Sequence, residues 1–254
     1  MQGNMQSIFG KLTRLKEKLY LQRPLPSELV KSLRNDFLVK STYHSNAIEG
    51  NTLTVYETKA ILEDGITIAG KSMREHLEAI NHKQAIILTE EFVKSKEILS
   101  ERLIKELHAI ILYGIDQSNA GLYRKHNVII SGASHTPPNH IEVPQLMADL
   151  IEWYNRKNEL HPLEKAAMLH SKFVNIHPFI DGNGRTSRLL MNLELIKAGY
   201  LPIIIENEQR FKYYEILDIA AVEQNYIPFI EFIANYEKQE LQRYIEVIEA
   251  HDNA

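Results

Sequence analysis

Residues 177–188 read HPFIDGNGRTSR and lie between two segments whose apolar residues recur with the helical period. The apolar positions that share a face are Ala166, Leu169, Phe173 and Ile176 before the stretch, and Leu189, Leu193 and Ile196 after it. This spacing predicts a helix, a short loop and then the N-terminus of a second helix.

The glycines and arginines of this stretch predict a site for phosphate. Gly182, Asn183 and Gly184 can adopt backbone conformations that gather successive N–H groups into one concavity. The helix that follows adds unpaired N–H groups and the positive end of its dipole. Arg185 and Arg188 are three residues apart, so we expect both on one helix face, reaching the same polyanion.

Two other residues of the stretch supply the remaining chemistry. Asp181 offers the hard oxygen ligand that Mg²⁺ prefers beside phosphate groups. His177 titrates near neutral pH and is suited to accept a proton from an attacking hydroxyl. Phe179 is expected to anchor the loop in the core. The residues alone therefore predict a site for a magnesium nucleotide or a phosphate ester.

The rest of the chain predicts mainly helices, about nine to eleven in all. The signals for helix ends are the capping boxes of Thr54 with Glu57 and of Ser72 with Glu75, and a C-terminal cap at Gly65. Residues 127–139 are the exception, because their first half is β-branched and their second half contains Gly132, Pro137 and Pro138. They predict a small hairpin or flap.

Composition excludes several classes of protein. The chain has 254 residues, of which 44% are hydrophobic and 24% charged, which is typical of a soluble globular protein. The formal charge of -4 argues against a general nucleic-acid binder, and no segment is apolar enough to span a membrane. No cysteine is present and the N-terminus resembles no signal peptide, so we expect a cytoplasmic protein. The absence of HExxH argues against a zinc hydrolase.

Residues 177–188 match the signature His-Pro-Phe-x-Asp-Gly-Asn-Gly-Arg-x-x-Arg of the Fic-domain family at every specified position. The resemblance implies an all-α fold: a Fic-type helical bundle with a small β-hairpin flap and an N-terminal inhibitory helix. It suggests a helical region at 1–74 that carries the inhibitory motif, a catalytic core at 75–236 and a helical extension at 237–254. The implied activity is transfer of AMP from ATP to a Ser, Thr or Tyr hydroxyl of a protein, with release of diphosphate.

The resemblance also implies roles for individual residues, with ATP and Mg²⁺ as cofactors. His177 would be the general base and Asp181 the metal ligand. The implied nucleotide-binding residues are Asp181, Gly182, Asn183, Gly184, Arg185, Thr186, Ser187, Arg188, Tyr213, Tyr214, Ile130, Ser131 and Gly132. Ala221 stands seven residues after Tyr214, where some relatives have an Asn at the nucleotide, and Asn225 is a candidate substitute.

A second motif lies at residues 45–51, which read SNAIEGN. By local chemistry these residues form a helix end with Glu49 in solvent and Gly50 at the cap. The resemblance implies instead an inhibitory motif of Ser45, Glu49 and Gly50, as in class II members of the family. Glu49 would pair with Arg188 and misplace the terminal phosphate of ATP, so the isolated protein should be nearly silent.

Two alternatives to a self-inhibited transferase stay open. Glu49 could align a water molecule for removal of AMP from a modified protein, or the chain could be a non-catalytic regulatory module with the same fold. The expected partner is a target protein that adds a strand to the flap at 127–139. Self-modification and a homodimer are further hypotheses, whereas nucleic acid and membrane partners are not expected.

Overall fold

The computed structural model describes residues 2–157 and 159–252, and helices account for most of them. The helices are α1 (Gln2–Leu21), α2 (Ser27–Ile48), α3 (Val55–Asp64), α4 (Met73–Lys94), α5 (Glu101–Ile111), α6 (Val143–Asn155), α7 (Pro162–Ile176), α8 (Asn183–Lys197), α9 (Arg210–Val222) and α10 (Ile227–Asp252). The described residues contain no β-strand, which confirms the all-α prediction. No helix in this part of the chain is long and apolar enough to cross a bilayer.

The helix ends form where the local sequence predicts them. The Thr54 hydroxyl accepts the N–H of Glu57, whose carboxylate in turn accepts the N–H of Thr54 at 2.7 Å. Ser72 and Glu75 make the same reciprocal pair at the start of α4. Gly65 ends α3 with a φ of 68°. These contacts are local in sequence, so they depend little on the rest of the fold.

Two apolar cores share α7 and α8, the helices on either side of the predicted loop. The first core joins α1, α9 and α10 to α7 and α8, and the second joins α4, α5 and α6 to the same two helices. Phe179, which lies in the loop between α7 and α8, is completely buried in the second core. This confirms the expected anchor, which ties the loop to the second core.

The predicted division of the chain does not coincide with helix ends. α10 runs without interruption through 236/237, and the boundary at 74/75 falls in the first turn of α4. Phe9 and Leu12 of α1 share the first core with Ile245 and Ile248 of α10, so the two ends of the chain pack together.

The flap at 127–139 differs from the predicted hairpin. It is an irregular loop with a turn in which Ile130 O accepts the N–H of Ala133 at 3.2 Å. The physical reason lies in the hydrogen bonds available to it. Two of its main-chain N–H groups donate to the carboxylate of Asp218 in α9 and therefore have no need of a neighbouring strand.

Candidate active site

The loop after α7 presents His177 to a cavity. His177 is the C-cap of α7 and has a φ of 50°, a left-handed conformation that is uncommon for a residue with a side chain. Arg124 holds this conformation, because its Nε donates to His177 O at 2.8 Å and its main-chain N–H donates to Pro178 O at 2.9 Å. Burial lowers the pKa of His177, so the imidazole is neutral at pH 7.

His108 of α5 supports the next part of the loop. Its Nδ1 accepts the N–H of Gly121 at 2.9 Å, so its Nε2 carries the proton and donates to Asp181 O at 2.9 Å. Burial lowers the pKa of His108 to about 4, which keeps it neutral. Gly182 has a φ of 77°, and a Cβ there would lie 3.3 Å from the His108 ring. Glycine is therefore required by both conformation and space.

The N-terminus of α8 lies where the sequence predicts an anion site. Asn183 braces it, since its side chain exchanges two hydrogen bonds with the main chain of Phe179 at 3.0 and 2.9 Å. The first N–H groups of a helix have no partner within the helix and attract negative charge. The carboxylate of Glu49 lies here, because a Cβ on Gly184 would be only 2.1 Å from Glu49 Oε1.

The same carboxylate forms the predicted ion pair with Arg188. Arg188 Nη2 donates to Glu49 Oε1 at 2.8 Å and to Ser45 O at 2.8 Å, while Nε donates to the Ser45 hydroxyl at 3.0 Å. Behind the guanidinium, the Tyr213 hydroxyl lies 2.8 Å from Nε2 of His170. The end of α2 and the start of α8 are thus joined by a buried polar network.

A cavity of about 720 Å³ collects most of the predicted site. Its lining includes His177, Gly184, Arg188, Glu49, Gly50, Tyr213, Tyr214, Ala221 and the flap residues Ile130, Ser131 and Gly132. Its lining includes the charged residues Glu49 and Arg188 and also Phe211, Tyr214 and Leu217 of α9. Such a cavity is large enough for a nucleotide.

Six of the predicted nucleotide-binding residues, and the candidate substitute Asn225, do not line the cavity. Asp181, Gly182 and Asn183 are three of the six, and they belong to the loop and to the first residue of α8. Arg185 is only 1% exposed and does not line the cavity, because α8 turns it toward Asp181 and α4. Thr186 and Ser187 are fully buried, and their hydroxyls donate to the carbonyls of the preceding turn, so their side chains do not reach a ligand in the cavity. Asn225 accepts the N–H of Ile227 at 3.2 Å and does not border the cavity, so it is no substitute at the base.

Known proteins resemble this chain along most of its length. Residues 98–195 match the model of the Fic/DOC family. A solved structure of a Fic domain containing signaling protein from Bacteroides thetaiotaomicron VPI-5482 shares the fold, with a TM-score of 0.88 and 31% identity. The match covers 94% of this chain and 97% of that one. Fic-1 from C. elegans has a TM-score of 0.89 and 31% identity, over 98% of this chain and 74% of that one. The chain belongs to the Fic family.

Curated relatives of this Fic chain are named Protein adenylyltransferase Fic. The one from Drosophila willistoni is 42% identical over 205 residues, which are 80% of this chain and 41% of that protein. The one from Drosophila persimilis is 39% identical over 221 residues, or 86% and 43%. The Fic chain therefore spans about two fifths of the length of the curated relatives it matches.

Several residues that shape the Fic site were not predicted from sequence. Arg124 and His108 hold the loop, and Asp218 accepts N–H groups of the flap at 2.9 to 3.1 Å. Arg74 and Glu78 of α4 contact Asp181 and Arg185. Each acts across more than 50 residues of sequence, and no periodic pattern or local motif signals such a contact.

Asp181 suits a metal that also binds phosphate. Its Oδ2 lies 2.5 Å from Arg74 Nη2 and its Oδ1 lies 3.0 Å from Arg185 Nη2. Burial raises the pKa of this carboxyl, but the arginines and the N–H of Gly182 lower it further, so it is ionised at pH 7. No group of three metal-binding side chains occurs among residues 2–157 and 159–252. Mg²⁺ is often held by one carboxylate plus phosphate oxygens, so Asp181 alone fits that role.

Proposed function

We propose that this chain is a protein adenylyltransferase, which transfers AMP from ATP to a hydroxyl of a target protein and releases diphosphate. The observation that carries the proposal is the convergence of His177, the N-terminus of α8 at Gly184 and the guanidinium of Arg188 on one cavity. A base, an anion site and a phosphate-binding cation are the groups that this transfer requires. The names of the curated relatives support the same activity.

In this proposal His177 accepts the proton of the attacking hydroxyl. Its Nδ1 is buried, which leaves Nε2 as the nitrogen for the cavity, and its lowered pKa keeps it neutral at pH 7. The hydroxyl oxygen forms a bond to the α-phosphorus while the bond to the bridging oxygen of diphosphate breaks. A base in this position typically contributes about 100-fold to 10,000-fold to the rate.

The phosphates would lie at the N-terminus of α8. The N-terminus of α8 and the guanidinium of Arg188 would compensate their charge, since the carboxylate of Glu49 lies against Gly184 and accepts from Arg188 in this structure. Asp181 would hold Mg²⁺, which neutralises charge on the phosphates when bound. Asn183 and His108 keep the loop in the required shape.

The adenine would lie against the apolar part of the cavity lining. Tyr214 and Leu217 contribute to this part from α9, and Ile130 contributes from the flap. The Tyr214 hydroxyl donates to Ile48 O at 3.0 Å, which fixes the ring against the end of α2. Ala221 adds a small apolar surface where a polar side chain would contact the purine edge.

We also propose that Glu49 inhibits the transfer. Its carboxylate takes the guanidinium of Arg188 and lies where the phosphates need the N–H groups near Gly184. ATP whose outer phosphate is displaced presents its α-phosphorus out of line with the hydroxyl, which costs orders of magnitude in rate. Gly50, with a φ of 97°, ends the helix so that Glu49 can turn toward α8.

The target would dock on the flap. Ile129 is 90% exposed, and residues 127–130 belong to no helix or strand. An extended target segment can pair with the main chain of this part of the flap, which would place its hydroxyl near His177.

Incubation with labelled ATP and Mg²⁺ tests the function directly. We expect Glu49→Gly to label itself or a target strongly, whereas wild type labels weakly and the double variant with His177→Ala does not label. Absence of label in Glu49→Gly with every target tested, together with no ATP binding, would contradict an adenylyltransferase.

Removal of AMP is a second candidate, because the Glu49 side chain is one third exposed at the cavity and its charge acts on His177. A carboxylate in that place could align a water molecule for attack on a phosphate ester. Wild type should then release AMP from a target that Glu49→Gly has labelled, and Glu49→Gly should not.

A further inference from the structure

Asp181 and three other charged side chains form a closed ring of alternating charge. Asp181 accepts from Arg74 Nη2 at 2.5 Å and from Arg185 Nη2 at 3.0 Å. Glu78 meets the same two guanidinium groups, since it accepts from Arg74 Nε at 3.0 Å and lies 3.4 Å from Arg185 Nη1. We call Arg74, Asp181, Arg185 and Glu78 the ion-pair ring.

Arg185 is the member of the ion-pair ring that depends most on its partners. It is almost completely buried, and its Nε and Nη1 make no hydrogen bond to any residue that the structure describes. Glu78 is also nearly buried. A buried guanidinium without a nearby carboxylate is strongly destabilising, so Arg185 needs Asp181 or Glu78 at all times.

A cation at Asp181 competes with this arrangement. Mg²⁺ would bind the same carboxylate oxygens that accept from Arg74 and Arg185 in this structure. When Asp181 turns to the cation, both guanidinium groups lose a counter-ion. Glu78 is the second carboxylate of the ion-pair ring and remains in place to hold them.

We propose that Glu78 is a positioning residue of the metal and nucleotide site, the counter-ion that keeps Arg185 and Arg74 in place while Asp181 exchanges them for Mg²⁺. The proposal rests on the proposed function, because it requires a magnesium nucleotide at Asp181. Arg74 acts in the opposite direction. It holds Asp181 from the solvent side and therefore competes with the cation.

The inhibitory segment also contacts this carboxylate. Asn51, two residues after Glu49, donates from Nδ2 to Glu78 Oε2 at 2.9 Å and to Glu75 O at 3.2 Å. The amide orients Glu78 toward Arg185. Residues 45–51 therefore touch both arginine sites, one through Glu49 and the other through Asn51 and Glu78.

Calorimetric titration with ADP tests the proposal without any turnover. The dissociation constant of ADP is measured with saturating Mg²⁺ and with a chelator, and the ratio of the two is the magnesium coupling. We expect Glu78→Gln to lower the magnesium coupling by about 10-fold, the size typical of residues that orient a metal ligand, with metal-free ADP affinity unchanged. Glu78→Asp should recover part of the loss because it keeps the charge.

Arg74→Gln should change the magnesium coupling in the opposite sense. It frees Asp181 of one competitor, so we expect an increase of roughly 3-fold. The matched controls are Glu90→Gln and Arg34→Gln, which break a comparable ion pair of 2.7 Å between α2 and α4 away from the cavity. Both should keep the wild-type coupling.

Wild-type coupling in a folded Glu78→Gln variant would overturn the proposal. If that variant does not fold, Arg74→Gln provides the test, because the Arg74 side chain is largely in solvent and its replacement should not disturb folding. An unchanged or lowered magnesium coupling in Arg74→Gln would contradict competition at Asp181. A wild-type chain that binds no ADP under either condition refutes the proposed function and this inference with it. If ADP binding depends on Mg²⁺ equally in wild type and in Glu78→Gln, only the proposed role of Glu78 is refuted.

Discussion

Arg185 and Arg188 come from the same helix, three residues apart, and both are almost wholly buried, yet they serve different sites. Arg188 faces the cavity and pairs with Glu49 at the end of α2. Arg185 faces α4 and pairs with Asp181 and Glu78. Spacing along a helix determines only that two side chains are neighbours. Their partners are decided by the other helices that pack against each side of α8.

The two arginine sites lie on different sides of α8 and differ in the carboxylates that they contain. The Arg188 site contains the proposed inhibitory carboxylate. The Arg185 site contains the proposed metal ligand. His177 belongs to neither arginine site, so substitutions at His177, at the Arg188 site and at the Arg185 site should have different effects.

The largest effect is expected at His177. In the Glu49→Gly background, His177→Ala should lower the rate of transfer by about 100-fold to 10,000-fold, because only the proton acceptor is removed. Nucleotide affinity should stay the same, since both arginine sites are intact. Labelling rates together with calorimetric ATP binding provide the test, and an unchanged rate would reject His177 as the base.

The next effect concerns the Arg188 site. Glu49→Gly should raise transfer strongly, and adding Arg188→Ala should lower it again by about 100-fold to 1,000-fold, the cost of one preorganised donor at the reacting phosphates. Because the two residues share one contact, the double-mutant cycle should be far from additive. Independent effects of the two substitutions would mean that Glu49 and Arg188 do not form one switch.

A smaller effect is expected at the Arg185 site. Asp181→Ala and Arg185→Ala should each weaken productive use of magnesium ATP by about 10-fold to 100-fold, one through loss of the cation ligand and the other through loss of the group that orients it. Rates measured across a magnesium titration show this as a higher magnesium requirement. Thermal unfolding of Arg185→Ala should also be measured, because that change leaves Asp181 and Glu78 with only Arg74 as their shared cation. Full turnover at low magnesium in both variants would contradict the assignment.

The smallest expected effect is on the pH dependence of stability, and it comes from the buried imidazoles beside the two arginine sites. Burial lowers the pKa of His108, beside Asp181, to about 4, and lowers that of His170, beside Tyr213, well below its usual value. The unfolded chain takes up protons below about pH 6.5 while these folded histidines do not, so stability falls as the pH drops from there toward 4. The loss at pH 5.5 should be about 1 kcal/mol for each histidine.

Urea unfolding at pH 7.5 and pH 5.5 measures this loss. His170→Gln should reduce the difference between the two pH values, whereas His126→Gln, a change at an exposed histidine, should leave it as in wild type. An equal pH dependence in all three proteins would show that the buried imidazoles do not cause it.

Much of the site could be predicted because it is local in sequence. The turn at Gly182, the helix that starts at Asn183 and the anchor at Phe179 all lie within a few residues of one another. The reciprocal caps of Thr54 with Glu57 follow from the same kind of short-range chemistry. The pairing of Glu49 with Arg188 was expected from the family resemblance, although local chemistry placed that carboxylate in solvent.

Other parts of the site have no local signal. The flap was expected to be a hairpin because its first residues are β-branched, but Asp218 supplies acceptors that a strand would otherwise provide. Arg124 pins His177 from another segment altogether. Arg74 and Glu78 look in sequence like the surface charges of an amphipathic helix, and only the position of α4 beside α8 makes them part of the site.

The sequence by itself determined the local elements of this Fic chain: where helices start and stop, and where a glycine turn leads into the N-terminus of α8 beside a histidine. These properties depend on backbone conformation and on side chains within about one helical turn, so short stretches specify them. The tertiary structure alone decided which carboxylate meets which guanidinium. Arg185 and Arg188 are chemically identical, and they differ only because α4 packs against one and the end of α2 against the other.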